Sequence, residues 1–174
     1  MNRVKKIIRN IVVIAILLYV YLGYSGLYLS PLSAHENSER SIHYGPSEIV
    51  HIKDFEKGKY ILGKYDKWIS CNTVNKKLFV LWGFGDQVTG FENDKSKTVD
   101  YTWNMSHTYY KLYGIINDDR IKEIEITLVN GERIIQTEFF DDFFLFTWKG
   151  KDEKGWDFES IIVYDLNDNV IFSE

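Results

Sequence analysis

Between Asn10 and Ala34 the chain carries no charged side chain. Ile11 to Leu29 is almost wholly apolar, and its 19 residues span about 28 Å at a helical rise of about 1.5 Å, close to the hydrocarbon thickness of a bilayer. In lipid a single segment satisfies its own backbone polar groups only as a helix. Arg3, Lys5, Lys6 and Arg9 precede the segment and favour a cytoplasmic N-terminus. Tyr19, Tyr21, Tyr24 and Tyr28 gather in its outer half, where amphipathic rings prefer the interface. A core helix of a soluble domain would show one polar face, and this segment shows none. The sequence therefore predicts a basic cytoplasmic tail over 1–10, a transmembrane helix over 11–30 that anchors the chain in the lipid bilayer as a single-pass cell-membrane protein, a polar stalk over 31–46 and an extracytoplasmic domain over 47–174. The alternative is cleavage after Leu32-Ser33-Ala34 and secretion; span length and the tyrosine belt favour retention. His35 stands where a lipoprotein would need cysteine.

Beyond residue 34 the charge balance reverses. All four cations of the first segment lie before Asn10, leaving 17 basic against 25 acidic side chains in the remainder. A phosphate backbone would be repelled by that surplus, so no nucleic-acid partner is expected. The chain has one cysteine, Cys71, which rules out an intramolecular disulfide and leaves the core alone to hold the domain.

The domain reads as strands joined by short turns. Ser47–Lys53 alternates. Lys59–Tyr65 and Trp68–Val74 flank Asp66-Lys67, and Lys77–Phe84 is one strongly apolar run. Tyr101–Tyr113 fits either a strand or a short helix capped by Ser106. Arg120–Leu128 places Ile124, Ile126 and Leu128 on one face, and Asn130-Gly131, both tolerant of positive φ, signals a hairpin into Glu132–Phe140. Asp141-Asp142 and Asp165–Asn169 mark further turns beside Phe143–Trp148, Phe158–Tyr164 and Val170–Phe172. The expected fold is mainly β: an N-terminal transmembrane helix followed by an antiparallel β-sandwich or folded-over sheet domain.

The phrases Gly-Lys-Tyr-Ile-Leu-Gly-Lys-Tyr-Asp (58–66), Tyr-Gly-Ile-Ile-Asn-Asp (113–118) and Tyr-Asp-Leu-Asn-Asp-Asn-Val-Ile (164–171) resemble recurring stretches of small membrane-anchored extracytoplasmic proteins of Bacillus-type bacteria, a domain family of unknown function. The resemblance covers about residues 40–174. It implies location and β class, and transfers no catalytic residue.

Chemistry-bearing motifs are sparse. His35, His43 and His51 recur every eight residues, which is not a metal-ligand spacing on a helix or strand, so no metal site is expected; His107 stands apart. Asp165, Asn167 and Asn169 echo a calcium loop, but Val170 replaces its glycine and a turn explains the run. Asp118-Asp119 and Asp141-Asp142 read as turns, since glycoside hydrolysis needs two carboxylates across a cleft. Cys71 sits in a strand-like run and packs as a small hydrophobe. Gly83-Phe84-Gly85 lacks the residues of a phosphate cradle. No cofactor and no catalytic residue are expected. The aromatics, 16% of the chain, are the remaining lead. Trp82 and Trp148 lie in apolar strands and should be buried, whereas Trp103 and Trp156 lie in polar surroundings and are the expected ligand-binding residues. The expected function is a membrane-anchored extracytoplasmic binding or sensing module with an envelope protein or glycan as partner. The alternatives are an envelope hydrolase acting on wall glycans and an accessory subunit of a membrane complex.

Overall fold

The computed structural model describes residues 3–86, 90–106, 108–150 and 158–174. Helix α1 (Arg3–Tyr24) is followed by strand β1 (Leu27–Tyr28) and helix α2 (Pro31–Ser41). Eleven of the remaining strands follow in order: β2 (Glu48–Phe55), β3 (Gly58–Tyr65), β4 (Trp68–Leu78), β5 (Leu81–Phe84), β6 (Phe91–Glu92), β7 (Val99–Ser106), β8 (Tyr109–Ile116), β9 (Ile121–Leu128), β10 (Arg133–Gln136), β11 (Phe143–Lys149) and β12 (Phe158–Asp165). Strand β13 (Val170–Ser173) closes the chain. The expected class holds: the protein is mainly β, with several antiparallel sheets after one long apolar helix.

Two compact units share the chain. The first comprises Met1–Pro46, Lys53–Tyr60 and Asn72–Gln87. Its α1 is 22 residues long with no buried residue, and is long and apolar enough to cross a membrane, a property common to anchors and signal sequences. The helix is offset from the expected 11–30. It begins within the basic tail and stops at Tyr24, where Gly26 turns the backbone to φ 67°, a conformation open to glycine because it has no Cβ. Leu27 and Tyr28 then pair with Gly83 and Trp82 of β5 instead of continuing the helix, and Tyr28 stacks on Phe84 at 5.6 Å.

Residues 31–41, expected as stalk, form α2. Ser30 caps it by accepting from the Ser33 amide at 3.0 Å, and Pro31 occupies the first turn, where its missing N–H costs nothing. Polar composition suggested a solvated stalk, yet Ala34, His35, Ser38 and Glu39 are buried along one face. The His35 ring, 1% exposed, lies 3.3 Å by Nε2 from Oε1 of Glu39, itself 4% exposed, and Asn72 of β4 places its amide nitrogen 3.1 Å from Nδ1. With an amide donor facing Nδ1, that nitrogen accepts and Nε2–H donates, which describes a neutral ring.

The second unit comprises Ser47–Ile52, Ile61–Cys71 and Val88–Glu174. Two sheets form its centre, one ordered β11-β8-β7 and the other β10-β9-β12-β13. Their facing residues make one apolar core: Val99, Leu112, Phe144 and Phe146 from the first, Ile124, Ile126, Ile161 and Val163 from the second. Alternation on β9 is why Ile124 and Ile126 reach it together. The described residues of segment 101–113 belong to two strands, β7 and β8, and the turn before β8. Its β-branched and aromatic side chains pack on a pleated surface better than on a helix. Lys111 on β8 is fully buried and donates to the Cys71 carbonyl at 2.5 Å. Cys71 itself is buried in β4, as expected of a cysteine in a strand-like run.

A third sheet runs β1-β5-β4-β3-β2 with β6 beside β4. The run Lys77–Phe84 is not one strand: β4 ends at Leu78, Phe79-Val80 form the turn, and Leu81 starts β5 opposite Leu78. Hydrophobicity alone concealed that reversal. The turns at Asp66, Gly131, Asp141 and Asp168 fall where the sequence places them, each with positive φ.

Burial holds the His35 pKa below its ordinary value, against the opposing pull of Glu39 and Glu36. The unfolded chain then binds more protons than the folded one as pH drops through about 6.5. Stability from the neutral ring is complete above that pH and is lost as pH falls towards the lowered value. The melting temperature of the full chain in detergent should fall between pH 7.5 and 5.5, and fall less in His35→Gln. Equal drops in the two proteins would contradict the assignment.

Candidate functional site

The second unit holds a groove of about 660 Å³, within the range of small-molecule sites. It is built from edge strand β7 of one sheet and from β12 and edge strand β13 of the other. Val99, Tyr101 and Trp103 alternate on one face of β7. Val99 is buried in the core, while Tyr101 and Trp103 are half-buried against it. Phe158 and Phe172 pack on the same core from the opposite sheet and also line the groove. The groove therefore has an aromatic floor whose inner edges are anchored in the sandwich.

One ammonium and three carboxylates edge that floor: Lys97, Asp100, Glu159 and Glu174. Asp100, although buried, accepts from Lys97 Nζ at 2.8 Å and from the Asp94 amide at 2.8 Å. These bonds fix the loop that enters β7. The hydrogen bond and charge of Asp100 raise the Lys97 pKa. Tyr101 Oη donates to Glu174 at 2.8 Å, bonding the two edge strands across the groove. Burial raises the Tyr101 pKa, and the Glu174 carboxylate adds to the effect, so the phenol keeps its proton.

Gly114 of β8 makes this geometry attainable. It pairs with Tyr101 on one side and Phe144 on the other. A Cβ there would lie 2.3 Å from the Asp100 carbonyl and 2.7 Å from both Phe144 and the Tyr101 Cβ, closer than real contacts allow. The bare position lets β7 and its aromatics settle onto the core.

Trp103, expected as a ligand-binding residue, is half-buried and lines the groove. Trp156 lies outside the described residues, as does His107. Trp82 and Trp148 are half-buried, less enclosed than their strands suggested. Of the three regularly spaced histidines, His35 packs in α2, His43 is exposed, and His51, expected to be solvated, stacks on Phe140 with ring centres 3.5 Å apart. Among the described residues no group of three or more His, Cys, Asp or Glu is placed to hold an ion. Asp165 spends its carboxylate on the backbone amides of Asn167 and Asn169 at 2.8 and 2.9 Å, as a turn requires. Asp118 binds Arg120 through its amide and guanidinium, bonds that hold its pKa at about 2.

No family model, curated protein or solved structure matches the chain. The groove's own chemistry therefore carries the functional argument. Sequence reasoning found Trp103 but missed Tyr101, Phe158, Phe172 and the paired Lys97 and Asp100, which come together only when the edges of two sheets meet.

Gly114→Ala should destabilise the protein by about 1–3 kcal/mol through forced displacement of its neighbours, read by urea denaturation. It should also increase the solvent exposure of Trp103. A neutral substitution would contradict the close packing of β7 on β8.

Proposed function

We propose that the protein is a membrane-anchored extracytoplasmic binding module whose groove takes a neutral or amine-bearing glycan of the cell envelope. The observation that carries this reading is the aromatic floor of Tyr101, Trp103, Phe158 and Phe172 beside carboxylate rims. Flat apolar ring faces offer the C–H faces of a sugar a large contact at little entropic cost. Carboxylates accept hydrogen bonds from sugar hydroxyls or ammonium groups and repel polyanions. Span length and the outer tyrosines support retention in the membrane, and the preceding cations support a cytoplasmic N-terminus; on that reading the groove faces the side where envelope polymers lie.

The hydrolase reading is weaker. Of the three groove carboxylates, Asp100 and Glu174 already take part in structural hydrogen bonds, and glycoside hydrolysis would need two free to face one scissile bond.

Trp103→Ala in the full-length chain should reduce co-sedimentation with purified peptidoglycan by at least about tenfold if the ring is a central anchor. Glu159→Gln should weaken it less. Capture that is unchanged in Trp103→Ala would remove the groove from the proposal.

A further inference from the structure

The turn between β4 and β5 differs from three other turns among the described residues. Asp66-Lys67 and Asn130-Gly131 are polar, and Asp165–Asn169 is polar apart from the single exposed Leu166. Here the tip is Leu78-Phe79-Val80, exposed to 60%, 92% and 65%. Two-residue hairpin turns favour Asn and Gly because they tolerate left-handed backbone. Phe79 occupies φ 22°, an unfavourable place for a bulky side chain. Single exposed apolar residues are ordinary on a protein surface, but three in succession at a protruding tip are not stable against water without a partner.

The location of the tip indicates the partner. All the residues concerned belong to the unit that contains α1. After Gly26 the chain doubles back, so that Leu29 shares a hollow with Tyr19 and Val20 of α1. Strand β5 runs antiparallel to β1, with Gly83 opposite Leu27 and Trp82 opposite Tyr28. The direction from Leu27 to Leu29 is therefore the direction from Gly83 to Leu81, and onward to the tip. The tip points back along α1 towards the apolar part of that helix. Behind it stand Lys76 and Lys77, both exposed, and the Lys76 amide donates to the Lys57 carbonyl at 2.8 Å, which brings a third lysine to the base of the hairpin. An apolar wedge backed by cations and by the half-buried Trp82 is the arrangement that suits a lipid interface: apolar tip among acyl chains, ammonium groups at the phosphates.

From this we infer that the β4–β5 hairpin is a second membrane contact, with Leu78, Phe79 and Val80 inserted into the headgroup–acyl boundary of an anionic bilayer beside α1. The inference rests on α1 remaining in the bilayer. Two contacts fix what one helix cannot. A lone anchor leaves the attached structure free to pivot, whereas an anchor and a wedge linked through the β1–β5 ladder hold the first unit at a set height and tilt.

The test uses the full-length chain in vesicles of phosphatidylcholine and phosphatidylglycerol. Leu17→Cys, Phe79→Cys and Lys67→Cys variants are each labelled with an environment-sensitive nitrobenzoxadiazole dye; Cys71 is buried, and the unmodified chain serves as the labelling control. Leu17 reports the anchor, Phe79 the wedge, and Lys67 the opposite end of β4. Lipids spin-labelled on the acyl chain near the headgroup should quench the Phe79 dye by about half, as expected for burial of about 5–10 Å, with strong quenching at Leu17 and none at Lys67. Quenching at Leu17 but not at Phe79 overturns the wedge and leaves the anchor intact. Absence of quenching at Leu17 overturns both. A blue-shifted but unquenched Phe79 dye would mean protein covers the tip, which also overturns the lipid assignment.

Discussion

The packing of two sheets across one apolar core determines what the second unit can offer a ligand. Strands β7, β8 and β11 contribute Val99, Leu112, Phe144 and Phe146; β9 and β12 contribute Ile124, Ile126, Ile161 and Val163. Because β7 and β13 are the outer strands of their sheets, neither has a neighbour on its outer side among the described residues. The aromatic residues that follow the inward alternation at these edges pack on the core from one side. Tyr101, Trp103 and Phe172 keep one face on the core and present another to the groove. The same hydrophobic periodicity that stabilises the sandwich generates the aromatic floor of the groove, and the Tyr101–Glu174 hydrogen bond links its two walls.

Much of the architecture was legible from residue order. Alternation with a period of two identified β2 and β9, and small polar pairs marked several turns, because each supplies a backbone state that bulky residues avoid. The failures have specific causes. Helix α2 was concealed because its buried face is His35, Ser38 and Glu39 rather than aliphatic, so polarity suggested solvent. Its signature was Ser30 followed by Pro31, a capping signal that outweighs composition. The β4–β5 reversal was concealed because Phe79-Val80 is chemically wrong for a turn in water. The groove was only partly legible: Trp103 stood out by its polar neighbours, but Phe158 and Phe172 are far from it in sequence and reach it through sheet topology. No local pattern encodes that meeting.

Polar groups inside the first unit play a different part. His35, Glu39 and Asn72 occupy space where aliphatic residues would give more stability, and buried polar clusters of this kind are more valuable for fixing a unique arrangement than for net free energy. Asn72 ties α2 to strand β4, the strand that runs on to the apolar hairpin tip. The end of α1, the capped turn of α2 and the hairpin are thus connected within one unit by hydrogen bonds and strand pairing rather than by a flexible stalk.

The most direct measurement is amide hydrogen–deuterium exchange on the full-length protein in vesicles, with and without soluble peptidoglycan fragments. Engagement of the groove should slow exchange over residues 99–106 and 170–174 and leave β9 and β10 unchanged. Protection confined to other segments, or none at fragment concentrations that saturate co-sedimentation, would contradict the account.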